Sequence, residues 1–130
     1  MGCIVMSKAT QRTLAALKEQ GALCGMVERF NQFGGPVIFK TINGKRMGKH
    51  TGVRQDLFGI IDIIALYPDR QKVCGIQSCG TAFSEHLKKI KESSYSPIWI
   101  KYADLELWGW RKLKSGWAPR IHRFTKVDWL

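Results

Sequence analysis

One short segment of this sequence limits the possible folds more than any other. Residues 60–66 are isoleucine, leucine and alanine apart from Asp62, and the turn signal Tyr67-Pro68-Asp69 follows them directly. A short apolar run that is bounded by a turn is typical of a strand buried on both faces. The sequence therefore predicts a buried central strand at this position and a sheet built around it.

Patterns elsewhere in the chain indicate further helices and strands. Leu14 and Leu17 form an apolar helix stripe that Gly21 is placed to end, and Asn43-Gly44 is a strong hairpin signal. Helices are expected over residues 8–20, 82–92 and 97–103. Strands are expected over residues 22–30, 37–42, 60–66, 72–78, 105–111 and 117–125. Antiparallel strands followed by a crossover helix and a further strand imply an α/β fold with a mixed sheet flanked by helices.

The starts of the second and third helices carry their own signals. Thr81 can cap the helix over residues 82–92, and Ser96-Pro97 resembles an N-cap followed by proline at the first helical position. Residues 97–103 could also form a strand, because Ile98-Trp99-Ile100 has no helical preference.

The charge balance indicates a polyanionic partner. The chain has 130 residues and a net charge of +11, from 21 lysines and arginines against 10 acidic residues. This length fits a single domain over residues 1–130, and no stretch reaches the ~18–20 apolar residues of a membrane helix. Nucleic acid is the commonest partner of such a surface, with anionic membrane or a merely basic surface as alternatives. The apolar start is too short for a signal peptide, so a cytoplasmic location is expected.

Asp62 is the most unusual residue of the sequence, because it lies inside the apolar run. A buried carboxylate is normally paired with a cation, bound to a metal or exposed to a cleft, and a structural salt bridge is the alternative to a functional site. If the strands over 60–66 and 72–78 pair through the turn between them, Asp62 and Gln77 lie side by side. A carboxylate and an amide oxygen at one place are ligands that Mg²⁺ prefers.

A family resemblance rests on four stretches of the chain. Residues 54–66, 75–78, 88–90 and 105–112 resemble a phage and bacterial branch of the PD-(D/E)XK nuclease superfamily, which includes Holliday junction resolvases and restriction-type endonucleases. The resemblance spans about residues 10–112 and implies a restriction-endonuclease-like core of helix, three-strand meander, helix and strand, with residues 117–126 as a C-terminal edge strand. It also implies a metal-dependent DNA endonuclease that uses Mg²⁺ or Mn²⁺ on duplex or branched DNA. Cutting a four-way junction would require a homodimer.

The resemblance assigns roles to particular residues. Asp62 stands at the family's Pro-Asp element as the principal metal ligand, and Gln77 stands where the family has its second acidic residue. Cys79 stands in the place of the family's lysine, and a neutral thiol cannot stabilise the charge that develops on phosphate. Lys88 or Lys89 on the following helix could replace it. Lys89 is preferred because it precedes the apolar Ile90, and a solvated basic face is the alternative for both lysines.

A third metal ligand is expected upstream. Glu28 is preferred to Glu19, because Glu28 follows an apolar run while Glu19 lies near the end of an exposed helix. Asp56, just before the strand of Asp62, is a further candidate. An ordinary surface role remains open for Glu28 and Glu19.

Basic side chains are expected to hold the phosphates beside this site without reading the base sequence. The central group of these residues is Lys45, Arg46, Lys49, His50 and Arg54, and Arg111 and Lys112 extend it. Two other functions are left open. One is a degenerate, non-catalytic DNA-binding relative of this fold, and the other is a basic RNA-binding or structural protein.

Overall fold

The computed structural model describes residues 6–31, 37–50 and 52–130, and its main body is a five-stranded sheet flanked by helices. The amino-terminal elements are α1 (Lys8–Glu19), β1 (Leu23–Met26), β2 (Arg29–Asn31), β3 (Val37–Ile42), β4 (Lys45–His50) and β5 (Val53–Gln55). The remaining elements are β6 (Ile63–Leu66), β7 (Cys74–Cys79), α2 (Phe83–Glu92), α3 (Tyr95–Trp99), β8 (Asp104–Leu113), β9 (Gly116–Arg123) and a 3-10 helix (Lys126–Trp129). The predicted α/β class is confirmed.

The sheet is mixed, as the sequence predicted. Its strand order is β1-β6-β7-β8-β9. All neighbours are antiparallel except β7 and β8, which are parallel and are connected through α2 and α3. The strand predicted over residues 60–66 is shorter than expected: it is β6 (Ile63–Leu66), which lies inside the sheet between β1 and the central strand β7, and β9 forms the predicted C-terminal edge. Among the described residues, no helix is both long enough and apolar enough to span a membrane.

The two faces of the sheet have separate cores. Leu17 of α1 packs with Ile63 and Ile76 on one face, whereas Ile90 of α2 packs with Leu105 on the other. Two glycines let the second face be covered closely. A Cβ added to Gly75 would lie 2.8 Å from the Trp99 ring, and one added to Gly109 would overlap the Phe83 ring.

Two antiparallel ribbons are inserted between β1 and β6. One pairs β2 with β5, and the other pairs β3 with β4. Asn43 and Gly44 both have positive φ, 50° and 75°, so the predicted hairpin turn is confirmed. The prediction of one continuous strand over residues 22–30 is wrong. The chain leaves the main sheet after Met26, and Arg29 pairs with Gln55 in the first ribbon instead.

Both predicted helix-start signals are wrong in detail. The residue that caps α2 is Ala82, and no side chain makes the capping hydrogen bond. Pro97 lies inside α3, which begins at Tyr95. Buried Ser96 explains that earlier start, because its hydroxyl donates to the carbonyl of Ile90 at 2.7 Å and ties α3 to the end of α2. The alternative of a strand in this region is excluded.

Candidate metal centre

Asp62 immediately precedes β6, at the end of the sheet where β7 finishes. Its backbone N–H donates to Ile76 at 3.0 Å, and its carbonyl accepts from Val27 at 2.9 Å. These bonds extend the pairing of β6 with β7 and β1 by one residue, so both neighbouring strands hold the Asp62 backbone in place. Asp62 is only 2% exposed.

The Asp62 carboxylate accepts hydrogen bonds from two consecutive residues of β7. The Ser78 N–H lies 3.2 Å from both carboxylate oxygens, and the Ser78 hydroxyl donates to Oδ2 at 3.0 Å. Gln77 Nε2 donates to the same oxygen at 3.3 Å, so the predicted contact between Asp62 and Gln77 is confirmed. The hydroxyl of Thr10 on α1 lies 3.1 Å from that of Ser78 and fixes it from the opposite side.

Burial is the largest influence on the charge of Asp62. Burial raises the pKa of Asp62 to about 7, the hydrogen bonds from Ser78 oppose that rise, and the nearby charges of Asp56 and Glu28 reinforce it. No salt bridge joins Asp62 to a lysine or arginine in the part of the chain that the structure describes. The salt-bridge alternative therefore finds no support there, and a bound cation would stabilise the ionised carboxylate.

Three carboxylates converge at this point. Glu28, Asp56 and Asp62 each place one oxygen so that the three oxygens lie within 4.8 Å of one another. The first ribbon produces this arrangement, because Arg29 of β2 pairs with Gln55 of β5 and the next residue outward on each strand is acidic. Carboxylates this close repel one another unless they share protons or a cation. Hard oxygen ligands of this kind suit Mg²⁺ or Mn²⁺.

Gln77 adds an independent sign of a ligand. Its side chain is 4% exposed, and its Oε1 atom is buried with no hydrogen-bond partner among the described residues. Buried polar atoms almost always have a partner, so such an orphaned oxygen requires an explanation. Because the Nε2 atom of the same amide donates to Asp62, Oε1 lies beside the carboxylate cluster, where it could bind the same ion.

The structure separates the two candidate lysines of α2. Lys88 forms an exposed ion pair with Glu92 at 3.9 Å, one helical turn away. Lys89 instead lines a cavity of about 570 Å³ that also contains Asp56, Phe58 and Tyr95. Lys89 is therefore the lysine of this pair that shares a cavity with a carboxylate of the cluster.

His86 belongs to the same region, although the sequence did not assign it to this site. It precedes Lys89 by three residues and so lies on the same side of α2. Burial, and next the charge of Lys89, lower the pKa of His86, while Asp56 acts in the opposite direction. Its Nδ1 atom is buried without a hydrogen-bond partner among the described residues. The sequence offered one signal for His86: it stands three residues before Lys89, on the same side of a predicted helix.

Cys79 cannot act as a cation at this site. It is 5% exposed, and burial raises the pKa of its thiol to about 11, with the nearby Asp62 charge acting in the same direction. The thiol is therefore neutral at physiological pH. Glu19, the other upstream acid, is exposed at the end of α1 and is absent from the carboxylate cluster.

The predicted phosphate contacts whose side chains the structure describes lie on β4 and at the end of β8. These two groups are called the basic projections below. Lys45 and Arg46 are exposed on β4, where the Arg46 guanidinium lies 4.4 Å from the centre of the Phe39 ring. Arg111 and Lys112 are exposed on β8, beyond the last residue pair that β8 makes with β7. The side chains of three other predicted phosphate contacts lie outside the described part of the structure: Lys49, His50 and Arg54.

The assembled site can bind a divalent cation between buried oxygens and can place a lysine in the adjoining cavity. Comparisons with protein-family models, with curated proteins and with solved structures find no match to this chain. The function is therefore inferred from the residues and from their geometry.

Proposed function

We propose that this chain is a metal-dependent DNA endonuclease of the PD-(D/E)XK type. The observation that carries this proposal is the cluster of Glu28, Asp56 and Asp62, whose carboxylate oxygens lie within 4.8 Å of one another. The largest effect on the Asp62 pKa is its unfavourable burial, and no salt bridge joins Asp62 to a lysine or arginine in the described part of the chain. Perturbed carboxylates of this kind concentrate at functional sites.

The order of the elements supports a restriction-endonuclease-like core. The main sheet follows the sequence α1, then the antiparallel strands β1, β6 and β7, then α2, then β8 parallel to β7. This order is compatible with the helix, three-strand meander, helix and strand that the resemblance implies, with β2–β5 inserted after β1 and with α3 after α2. Asp62 immediately precedes β6, and Gln77 lies on β7.

Each residue of the proposed site has a distinct part in phosphodiester hydrolysis. Asp62, Glu28 and Asp56 hold the ion, and the Gln77 amide oxygen completes its protein ligands. Bound Mg²⁺ supplies a more acidic water and positive charge beside the scissile phosphate. Lys89 stabilises the negative charge that develops on the phosphate oxygens, in place of the family lysine that Cys79 replaces.

The DNA is held by the basic projections. Lys45 and Arg46 on β4 and Arg111 and Lys112 on β8 contact phosphates, and this binding is independent of base sequence. A four-way junction has two cleavage points, so its resolution by this chain requires a homodimer with one site in each copy.

A non-catalytic DNA-binding relative is the second candidate. The neutral Cys79 thiol and the uncharged Gln77 amide favour it, because both stand where the family has charged groups. In that protein Lys89 would lie on a solvated helix face, and the basic projections alone would account for the function.

A cleavage assay distinguishes the two candidates. The purified chain is incubated with linear duplex and four-way DNA, with Mg²⁺, with Mn²⁺ and with a chelator. We expect strand cleavage that requires the ion and that the chelator abolishes. DNA binding without any cleavage would assign the chain to the non-catalytic relative, and tighter binding to a matched RNA would make RNA the partner.

Replacing Lys45 and Arg46 together with alanine should weaken DNA binding and reduce its dependence on salt. Each phosphate contact releases condensed counterions, so losing two contacts should flatten the log–log salt dependence by roughly two units of slope. Anisotropy titrations of a labelled duplex at several salt concentrations measure that slope. Lys18 and Lys72 are exposed near the opposite end of the sheet, and their replacement is the charge-matched control. An unchanged slope in the Lys45 and Arg46 variant would remove this ribbon from the DNA contact.

A further inference from the structure

Two aromatic side chains beside the candidate metal centre form a stacked, half-exposed pair. The rings of Phe58 and Tyr95 lie 5.7 Å apart with 27° between their planes, and both residues are about half exposed, at 51% and 53%. The Trp99 ring lies 6.3 Å from that of Phe58 and supports it from the protein side. Phe58 and Tyr95 together are called the aromatic step below.

The backbone holds Phe58 in a costly conformation. Its φ is +54°, in the left-handed region that bulky side chains rarely adopt. The turn is closed by a hydrogen bond from the Gly59 N–H to the Asp56 carbonyl at 3.0 Å, and by one from Leu57 to Ile61 at 2.7 Å. The same tight turn thus positions a carboxylate of the cluster and the exposed ring. Strained residues of this kind cluster at ligand sites.

The aromatic step lines two cavities of different chemistry. One is the cavity of about 570 Å³ that contains Lys89 and Asp56. The other is a cavity of about 510 Å³ that is almost entirely apolar, and Phe58 and Tyr95 are part of its wall too. The remaining lining residues of this second cavity are Val73, Ile98, Trp99, Tyr102 and Ala103. The same ring pair therefore lines both a cavity that contains an ammonium group and an apolar aromatic cavity.

We propose that the aromatic step and the apolar cavity bind an unpaired nucleobase of the DNA, with the adjoining phosphate at Lys89. This inference rests on the proposed nuclease function and specifies its substrate class. A nucleotide combines a flat base with an anionic phosphate. The base suits the apolar cavity, and the phosphate suits the cavity that contains Lys89. The net charge of +11 favours a polyanion over an apolar peptide as the occupant. Base-paired DNA hides its base faces, so the site selects DNA with unpaired bases.

Binding measurements without metal test this proposal independently of cleavage. Three labelled DNAs are compared: a blunt duplex, the same duplex with a short unpaired tail, and that duplex with an abasic tail, which keeps the phosphates but lacks the bases. Base–aromatic stacking contributes about 1–3 kcal/mol per base, which is roughly a five- to 150-fold change in affinity. We expect the tailed duplex to bind more tightly by a factor in this range, and the abasic tail to lose that gain.

Variants then assign the effect to the aromatic step. Phe58→Gly removes the ring and relieves the positive φ, and Tyr95→Ala removes the partner ring at an exposed position, so both should fold. Each should lower the base-dependent gain at least about fivefold without changing the affinity for blunt duplex. Leu23→Ala removes an exposed apolar side chain from the far end of β1 and is the control.

Several results would overturn the proposal. These are equal affinity for tailed and blunt duplexes, a gain that persists with the abasic tail, or a gain that survives both ring substitutions. Self-association that Tyr95→Ala abolishes, with unchanged affinity for tails, would assign the apolar cavity to a second copy of the chain. Cleavage without a preference for tails would overturn this inference alone, whereas a preference for tails without cleavage would overturn only the nuclease proposal.

Discussion

Asp62→Asn is expected to lower metal-dependent cleavage by roughly a thousandfold or more while DNA binding is retained. The substitution keeps the shape of the side chain but removes the charge that the ion requires, and a catalytic metal supplies several kcal/mol of transition-state stabilisation. DNA binding depends on the basic projections and not on this carboxylate. Single-turnover cleavage with Mg²⁺, together with a binding titration without it, measures both effects.

The same substitution should increase the stability of the metal-free chain at neutral pH. The Asp62 pKa is about 7 in the folded chain and 3.8 in the reference state, so the unfolded chain loses this proton first as pH rises. The contribution of Asp62 to the free energy of unfolding should therefore fall by about 3 kcal/mol between pH 4 and pH 7, a decline that Asp62→Asn removes. The oxygen of the new amide, in the place of Oδ2, can still accept the bonds that the Ser78 N–H and hydroxyl donate there.

Thermal melts at two pH values test the direction of this change in stability. Without metal, Asp62→Asn should melt above the wild-type chain at pH 8 and close to it at pH 4, and only the wild type should gain stability from Mg²⁺. Glu106→Gln is the matched control. Glu106 is buried like Asp62 but pairs with Arg123 at 3.0 Å, so its substitution should lower stability and leave cleavage intact. An Asp62→Asn chain that melts far lower and still cleaves would make Asp62 an architectural residue.

The contact between Asp62 and Gln77 could be predicted from the sequence because it is short in range. An apolar run with one carboxylate predicts a buried strand, and the turn at Pro68 limits how the next strand can pair with it. Antiparallel pairing across that turn brings Asp62 beside Gln77, and the hydrogen bond between them is present. The local sequence pattern therefore predicts this tertiary contact correctly.

The remaining part of the site depends on long-range pairing that no local pattern encodes. Glu28 approaches Asp56 because Arg29 pairs with Gln55 across an inserted ribbon, and the sequence predicted one continuous strand through this region instead. The aromatic step was missed for a related reason. In a Phe-Gly dipeptide, the glycine is the residue expected to have a positive φ. In the structure Phe58 has a positive φ as well, because the closed turn between Asp56 and Ile61 imposes that conformation on both residues.

Lys89→Met is expected to lower the cleavage rate by about 10²–10³-fold, the usual cost of removing one group that stabilises transition-state charge. Lys89 lines the cavity that contains Asp56, and methionine keeps most of its apolar stem. Lys88→Met makes the same change in charge one residue earlier on α2, where the exposed side chain pairs with Glu92. Exposed pairs of this kind contribute little to stability, so both variants should fold equally well.

The comparison of these two variants separates catalysis from general electrostatics. If α2 only adds positive charge to the DNA-binding surface, both substitutions should weaken binding alike and leave the single-turnover rate at saturating protein unchanged. If Lys89 acts on the scissile phosphate, that rate should fall for Lys89→Met alone, while the salt dependence of binding changes equally in both variants. Equal cleavage rates for the two variants and the wild-type chain would exclude Lys89 from the mechanism. Cys79 could not take its place, because its thiol is neutral.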